Sequence, residues 1–266
     1  MKLAHFALIF TLAGPSLLAQ SSPCADPTAA VFDVASVKPI QQSAGSFSVR
    51  SRPDSLTADG TLAHILEYAF NLHGFQITGG PSWLSDDTWD IVIKVDQPPA
   101  NWDTLSNDAR NAIQRQRMVS ALAQRFALHC HIETRQLPVY NLVLAKGGPK
   151  PALAHTPADA PKKGSFSSHD DRSSVVMQSA GGSLDMLATN LVRVLGRTVI
   201  NETGLSGIYD FTLTYAPDAT NTSTDADATG PTVFTALEEQ LGLKLEPAKG
   251  PVPVLVVDSV QKPSEN

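Results

Sequence analysis

Charge is scarce in this sequence. Asp, Glu, Lys and Arg make up 17% of its 266 residues, against about a quarter in ordinary soluble domains. The balance is acidic, with a net charge of −6. No basic cluster exists beyond Lys162-Lys163. Phosphate backbones demand concentrated positive charge, so the chain is not built for a nucleic-acid partner. Cysteine is scarcer still, at Cys24 and Cys130 only. An oxidising compartment permits a bridge between them. Spacing does not show whether they meet, and two unrelated thiols is the alternative. After the first 20 or so residues no apolar run is long enough to span a membrane.

Catalytic grammar is missing as well. The turns Gly181-Gly182-Ser183 and Gly204-Leu205-Ser206-Gly207 hold serines, but neither is a GxSxG elbow. No GxxxxGK[ST] loop and no GxGxxG following a strand occurs, so nothing cradles a phosphate. The pattern implies no cofactor.

What is present begins at the N-terminus. Lys2 is a minimal positive start, residues 3–18 are apolar but broken by Gly14 and Pro15, and Leu17-Leu18-Ala19 ends on a small residue. That is the order of a signal peptide, cleaved after Ala19. Export to the periplasm or the exterior is expected, with residues 20–31 a loose tail. Roughly 245 residues then remain, enough for one large or two small domains.

Those residues read as one pattern written twice. Residues 121–128 (ALAQRFAL) lie over 236–243 (ALEEQLGL), and Pro138-Val139-Tyr140 over Pro253-Val254-Leu255, without a gap. Trp89-Asp90-Ile91 corresponds to Tyr209-Asp210-Phe211. Before each comes an amphipathic helix with the 3.6-residue period: Leu62, Ile65, Leu66, Ala69 and Phe70, then Leu184, Leu187, Ala188, Leu191 and Leu195. Asp59 or Thr61 caps the first and Ser183 the second. The expected fold is α+β: two tandem β-α-β-β-α-β-β modules, 32–149 and 174–266, each a small sheet packed by two helices. The first strands lie near Phe47-Ser48-Val49-Arg50 and at Val175-Val176-Met177-Gln178. Each module closes with a short strand, a turn, a proline and a second strand. Residues 150–173, rich in Pro, Ala, Lys and Ser, read as a linker. The acidic, polar stretch between Pro217 and Gly230 cannot bury apolar surface. Val34-Ala35-Ser36-Val37 and Val257-Asp258-Ser259-Val260 echo each other across the whole chain, which predicts termini in one sheet region.

Each half resembles the short N-terminal domain of secretins and TonB-dependent receptors, on the strength of residues 184–200 and 236–257. The whole chain resembles a soil-bacterial family of exported proteins with no assigned function. Phe32-Asp33-Val34-Ala35-Ser36-Val37-Lys38-Pro39, Gly80-Pro81-Ser82-Trp83-Leu84, Arg125-Phe126-Ala127-Leu128 and Ile208-Tyr209-Asp210-Phe211 carry that likeness. Related domains are sometimes fused to sensor-type membrane metallopeptidases, so the resemblance implies sensing or docking. It supplies no catalytic residues.

Candidate chemistry is thin. His129-Cys130-His131 would place two imidazoles on one strand face, half of a zinc site. The corresponding string in the second half is Lys244-Leu245-Glu246, so the fold does not need ligands there. His169-Asp170-Asp171 is a looser cluster. Asp90 and Asp210 could act as paired carboxylates, but recurrence at equivalent positions favours a turn-capping role. Trp83 in a Gly-Pro turn and Trp102 in a Pro-rich loop suit recognition, with Trp102 the more exposed, and Arg125 joins them as a feature of the first half only. The expectation is therefore an exported interaction module for an envelope protein or cell-wall glycan, recognising its partner through Trp83, Trp102 and Arg125. The alternative is an envelope-polymer hydrolase using Asp90 and Asp210 or His129 and His131.

Overall fold

The structure is a computed structural model that describes residues 32–43, 45–156, 164–170, 174–217 and 230–263. The expected signal peptide, the tail at 20–31 and most of the acidic stretch after Pro217 lie outside these residues. The fold is α+β.

The first half runs β1 (Val34–Ile40), β2 (Ser48–Ser51), β3 (Ser55–Thr61), α1 (Leu62–Phe70), β4 (Ile77–Gly79), α2 (Trp83–Asp86), β5 (Thr88–Lys94), α3 (Asn107–Arg125) and β6 (His129–Leu144). The second half runs β7 (Ala154–His155), β8 (Ser165–Asp170), β9 (Val175–Gly182), α4 (Leu184–Leu195), β10 (Val199–Asn201), β11 (Tyr209–Tyr215), α5 (Val233–Ala236) with a π-helical turn at Leu237–Leu241, and β12 (Leu243–Ser259).

Local chemistry accounts for the helices. The Thr61 hydroxyl accepts from the His64 amide and starts α1, which buries Leu62, Ile65, Leu66 and Ala69 at helical spacing. It stops where Asn71 turns left-handed, at φ 54°. Ser183 caps α4 in the same way through Met186, and Gly196 ends it at φ 59°. The strands of the outer sheets alternate. Ala35, Val37, Leu56, Ala58, Ile91 and Ile93 are all buried on one face of the first sheet, while Lys38, Asp59 and Asp90 occupy the other, wet face.

Among the described residues three sheets result: β1-β5-β3-β2, β7-β11-β9-β8, and a central β10-β6-β12-β4. The central sheet is built on β6 and β12, which pair antiparallel from Leu243 opposite Leu144 to Val257 opposite Cys130. The short strands are exchanged. β4, from the first half, lies parallel to β12, and β10, from the second half, lies parallel to β6. One end of this ribbon enters a core of α1, α3 and the first sheet through Cys130, Leu255 and Val257. The other enters the core under α4 through Leu142, Leu243 and Leu245. Truncating Leu142, Leu243, Leu245 or Leu255 to alanine should cost about 2–5 kcal/mol. The ribbon therefore ties both cores together.

Several expectations are corrected. Each module was expected to close with two strands separated by a turn at proline; β6 and β12 are instead continuous, 16 and 17 residues long. The prolines fit because of their parity. Pro138, Pro247, Pro251 and Pro253 pair with Lys249, Tyr140, Gln136 and Thr134, one set of alternate pairs. Members of this set aim their main-chain groups away from the ribbon: Tyr140 N donates outward to Thr198 O at 2.9 Å, and Pro253 O accepts from Gln76. A proline there removes no ribbon hydrogen bond. β3 is an additional strand before α1, so Asp59 lies on a sheet, bonded to Ser48 Oγ at 2.6 Å, and Thr61 is the cap. In the stretch 150–173, Ala154–His155 and Ser165–Asp170 pair with β11 and β9. The chain ends do not share a sheet: β1 pairs with β5, whereas β12 closes the central sheet.

Candidate functional site

β1 and the segment after β12 come together all the same, around Trp89. This residue stands in β5 with 5% of its surface exposed. Its ring packs edge-on against Phe126 at 5.3 Å and against Trp83 at 6.3 Å. The segment after β12 crosses this aromatic group. Gln261 N donates to Phe126 O at 2.7 Å, Lys262 Nζ sits 5.5 Å from the Trp83 ring centre, and the same ammonium pairs with Asp87 at 2.5 Å. Beside this strap opens a cleft of about 590 Å³. Val37, Pro39, Ile40 and Trp89 give it apolar walls, while Gln41, Asp87 and Lys262 give it polar ends. The indole N–H of Trp89 is buried and has no hydrogen-bond acceptor among the described residues. An unmet buried donor costs about 1–3 kcal/mol.

The residues proposed for recognition are not brought together. Trp83 is half-buried, beside Lys262. Trp102, expected to be exposed, is buried at 8%. The Arg117 guanidinium lies 5.8 Å from its ring centre, and a cationic face contact of this kind shields the indole. Arg117 itself donates to Pro53 O at 2.9 Å and Gln114 Oε1 at 3.2 Å. Gln114 in turn donates to Arg52 O at 2.6 Å. This buried network clamps the β2–β3 turn onto α3. Burial pulls the Arg117 pKa down, with Asp54 pulling it back, and a guanidinium stays charged regardless. Arg125 lies in the last turn of α3, about 12 Å along the helix axis beyond Arg117. Its Nε has no hydrogen-bond partner among the described residues.

The hydrolytic candidates also stand apart. Asp90 is on the wet face of the first sheet, between Lys38 and Asp59. Asp210 belongs to the third sheet, where Gly181 N donates to its Oδ1 at 2.6 Å. That bond crosses from β9 to β11 at a shift in their register rather than capping a local turn, and the two carboxylates lie in different sheets. His131 Nδ1 is 3.0 Å from Asp258 and its Nε2 4.0 Å from Glu133, while His129 is exposed. Among the described residues no three or more His, Cys, Asp or Glu side chains gather as a metal site would require. Cys130, fully buried, is disulfide-bonded; the chain's other cysteine, Cys24, lies outside the described residues. Lys262 and Asp87 were not picked out from the sequence. Nothing in their local pattern marks them, since 175 positions separate them.

Residues 63–260 match the model of a protein family of unknown function, DUF3738. The chain belongs to that family. The match takes in α1 through β12, and hence both exchanged strands, Trp89 and Asp87, while the β1 wall of the cleft and Lys262 fall outside it. No curated protein matches the chain. No solved structure matches it. Among the described residues no helix is long and apolar enough to cross a membrane.

Proposed function

We propose that this DUF3738 protein is an exported binding module, made of one α+β unit written twice, that takes up a peptide segment of an envelope protein in the Trp89 cleft. The order of elements supports the doubling: each half runs hairpin, helix, short strand, strand, helix, long strand. Export rests on the signal-peptide order of residues 1–19.

The observation that carries the binding reading is the cleft itself, lined by the apolar side chains of Val37, Pro39 and Ile40 and by the Asp87–Lys262 ion pair. Recognition sites combine an apolar body with few polar groups in this way. A peptide fits better than a glycan. Glycan stacking uses an open aromatic face, and Trp89 and Trp102 are buried while Lys262 lies over Trp83.

The test is a binding screen of the mature protein against apolar, proline-containing peptides and against soluble cell-wall fragments, read by tryptophan fluorescence and calorimetry. Peptide binding that falls at least tenfold in Ile40→Glu, with the melting temperature unchanged, is the expected result. Binding of wall fragments alone, or peptide binding indifferent to Ile40→Glu, overturns the reading.

A further inference from the structure

The two long strands guard their outer edges differently. On β12, beyond the three residues that β4 covers, the outward-facing positions include Pro247, Pro251 and Pro253. Proline offers no N–H and blocks strand addition. On β6, beyond the three residues that β10 covers, the outward-facing positions are Ile132, Thr134 and Gln136 before Pro138. Among the described residues no strand lies beside them. Ile132 is 37% exposed, and Thr134 and Gln136 are exposed as well. The residues between them carry opposite charges on one face: Arg135 Nε pairs with Glu133 Oε1 at 2.5 Å.

We propose that this edge of β6 pairs antiparallel with the same edge of a second copy of the chain, about a two-fold axis at Thr134. Outward-facing residues must oppose outward-facing residues for main-chain bonds to form. In the register that achieves this, Thr134 faces the partner's Thr134 and Ile132 faces the partner's Gln136. Glu133 then faces the partner's Arg135, and Arg135 the partner's Glu133. The edge is complementary to its own image, as a two-fold interface requires, and opposite charges across strands stabilise the pair. The two edges of the first sheet lack this property. β1 exposes Lys38 next to Pro39, and β2 exposes Arg50; neither strand carries an acid to meet its image. A five-residue ribbon covers far less than the roughly 800 Å² per partner of a stable complex. The dimer is therefore weak and reversible. It does not involve the Trp89 cleft.

Sedimentation velocity of the mature protein, from about 1 µM to several hundred micromolar, tests this. The expected result is a concentration-dependent dimer, with a dissociation constant on the order of tens of micromolar. Gln136→Pro places a proline at an outward-facing position, as Pro138 and Pro251 already are, so the ribbon survives; dimerisation should weaken at least tenfold. Glu133→Arg alone should do the same by setting arginine against arginine. Combining it with Arg135→Glu should restore the dimer. A wild-type protein monomeric throughout overturns the proposal. So does a dimer indifferent to Gln136→Pro and Glu133→Arg, or a double variant that stays monomeric.

Discussion

The side-chain amide of Gln76 donates to the main-chain oxygen of Pro253, 3.0 Å away and 177 positions along the chain. Gln76 Oε1 meanwhile accepts from His73 N at 3.1 Å. One buried side chain thus fixes the turn before β4 and docks β4 on the second half's long strand. Gln76→Leu keeps the volume but strands both partners. The expected loss is about 1–3 kcal/mol, measured as a lower urea midpoint with an unchanged slope.

The approach to each long strand turns left-handed: Ala127 at φ 45° before β6 and Gly242 at φ 68° before β12. An alanine there is strained by about 1 kcal/mol relative to glycine. Ala127→Gly should therefore stabilise the protein by up to about 1 kcal/mol. Gly242→Ala should destabilise it by more than that, because its new Cβ would also collide with the carbonyl oxygen of Gly148. Paired thermal melts of the two variants check both signs.

Burial lowers the pKa of His73 below its ordinary 6.5, with Glu67 raising it and Arg193 lowering it further. The unfolded chain then binds more protons than the folded one in the window just below pH 6.5. Stability from this group is complete above that pH and falls as the solution is acidified through it. In His73→Gln the stability curve should be flatter over that window than in the wild type. Denaturation midpoints at half-unit steps from pH 5 to 8 would show it; parallel curves would count against the assignment.

The bonded state of Cys130 has a measurable consequence. Reduction should release two thiols per chain and lower stability by about 2–4 kcal/mol. Thiol titration under denaturing conditions, before and after reduction, makes the count. Calorimetry with and without reductant gives the loss.

Much of the fold was legible without coordinates because it depends on near neighbours. Helical spacing marked α1 and α4, and a hydroxyl just before each marked its start. An aromatic, an aspartate and then apolar residues, matched between the halves, marked β5 and β11. The gapless match of 121–128 with 236–243 located the approaches to both long strands. Proline misled at Pro138 and Pro253. A proline is a break only if its missing N–H was needed, and which way a residue's N–H points depends on what lies beside the strand.

The rest was decided by residues far apart in sequence. Exchange of β4 and β10 between halves, the burial of Trp102 beneath Arg117, and the meeting of Lys262 with Asp87 and Trp83 have no local signature. Each depends on two segments choosing each other in the assembled core, where packing density and unmet hydrogen bonds rank the possible arrangements. Sequence by itself determined which segments become helix and strand, through period and caps. Tertiary structure alone decided which strands pair and which tryptophan stays near solvent, because those outcomes are set by burial against distant partners.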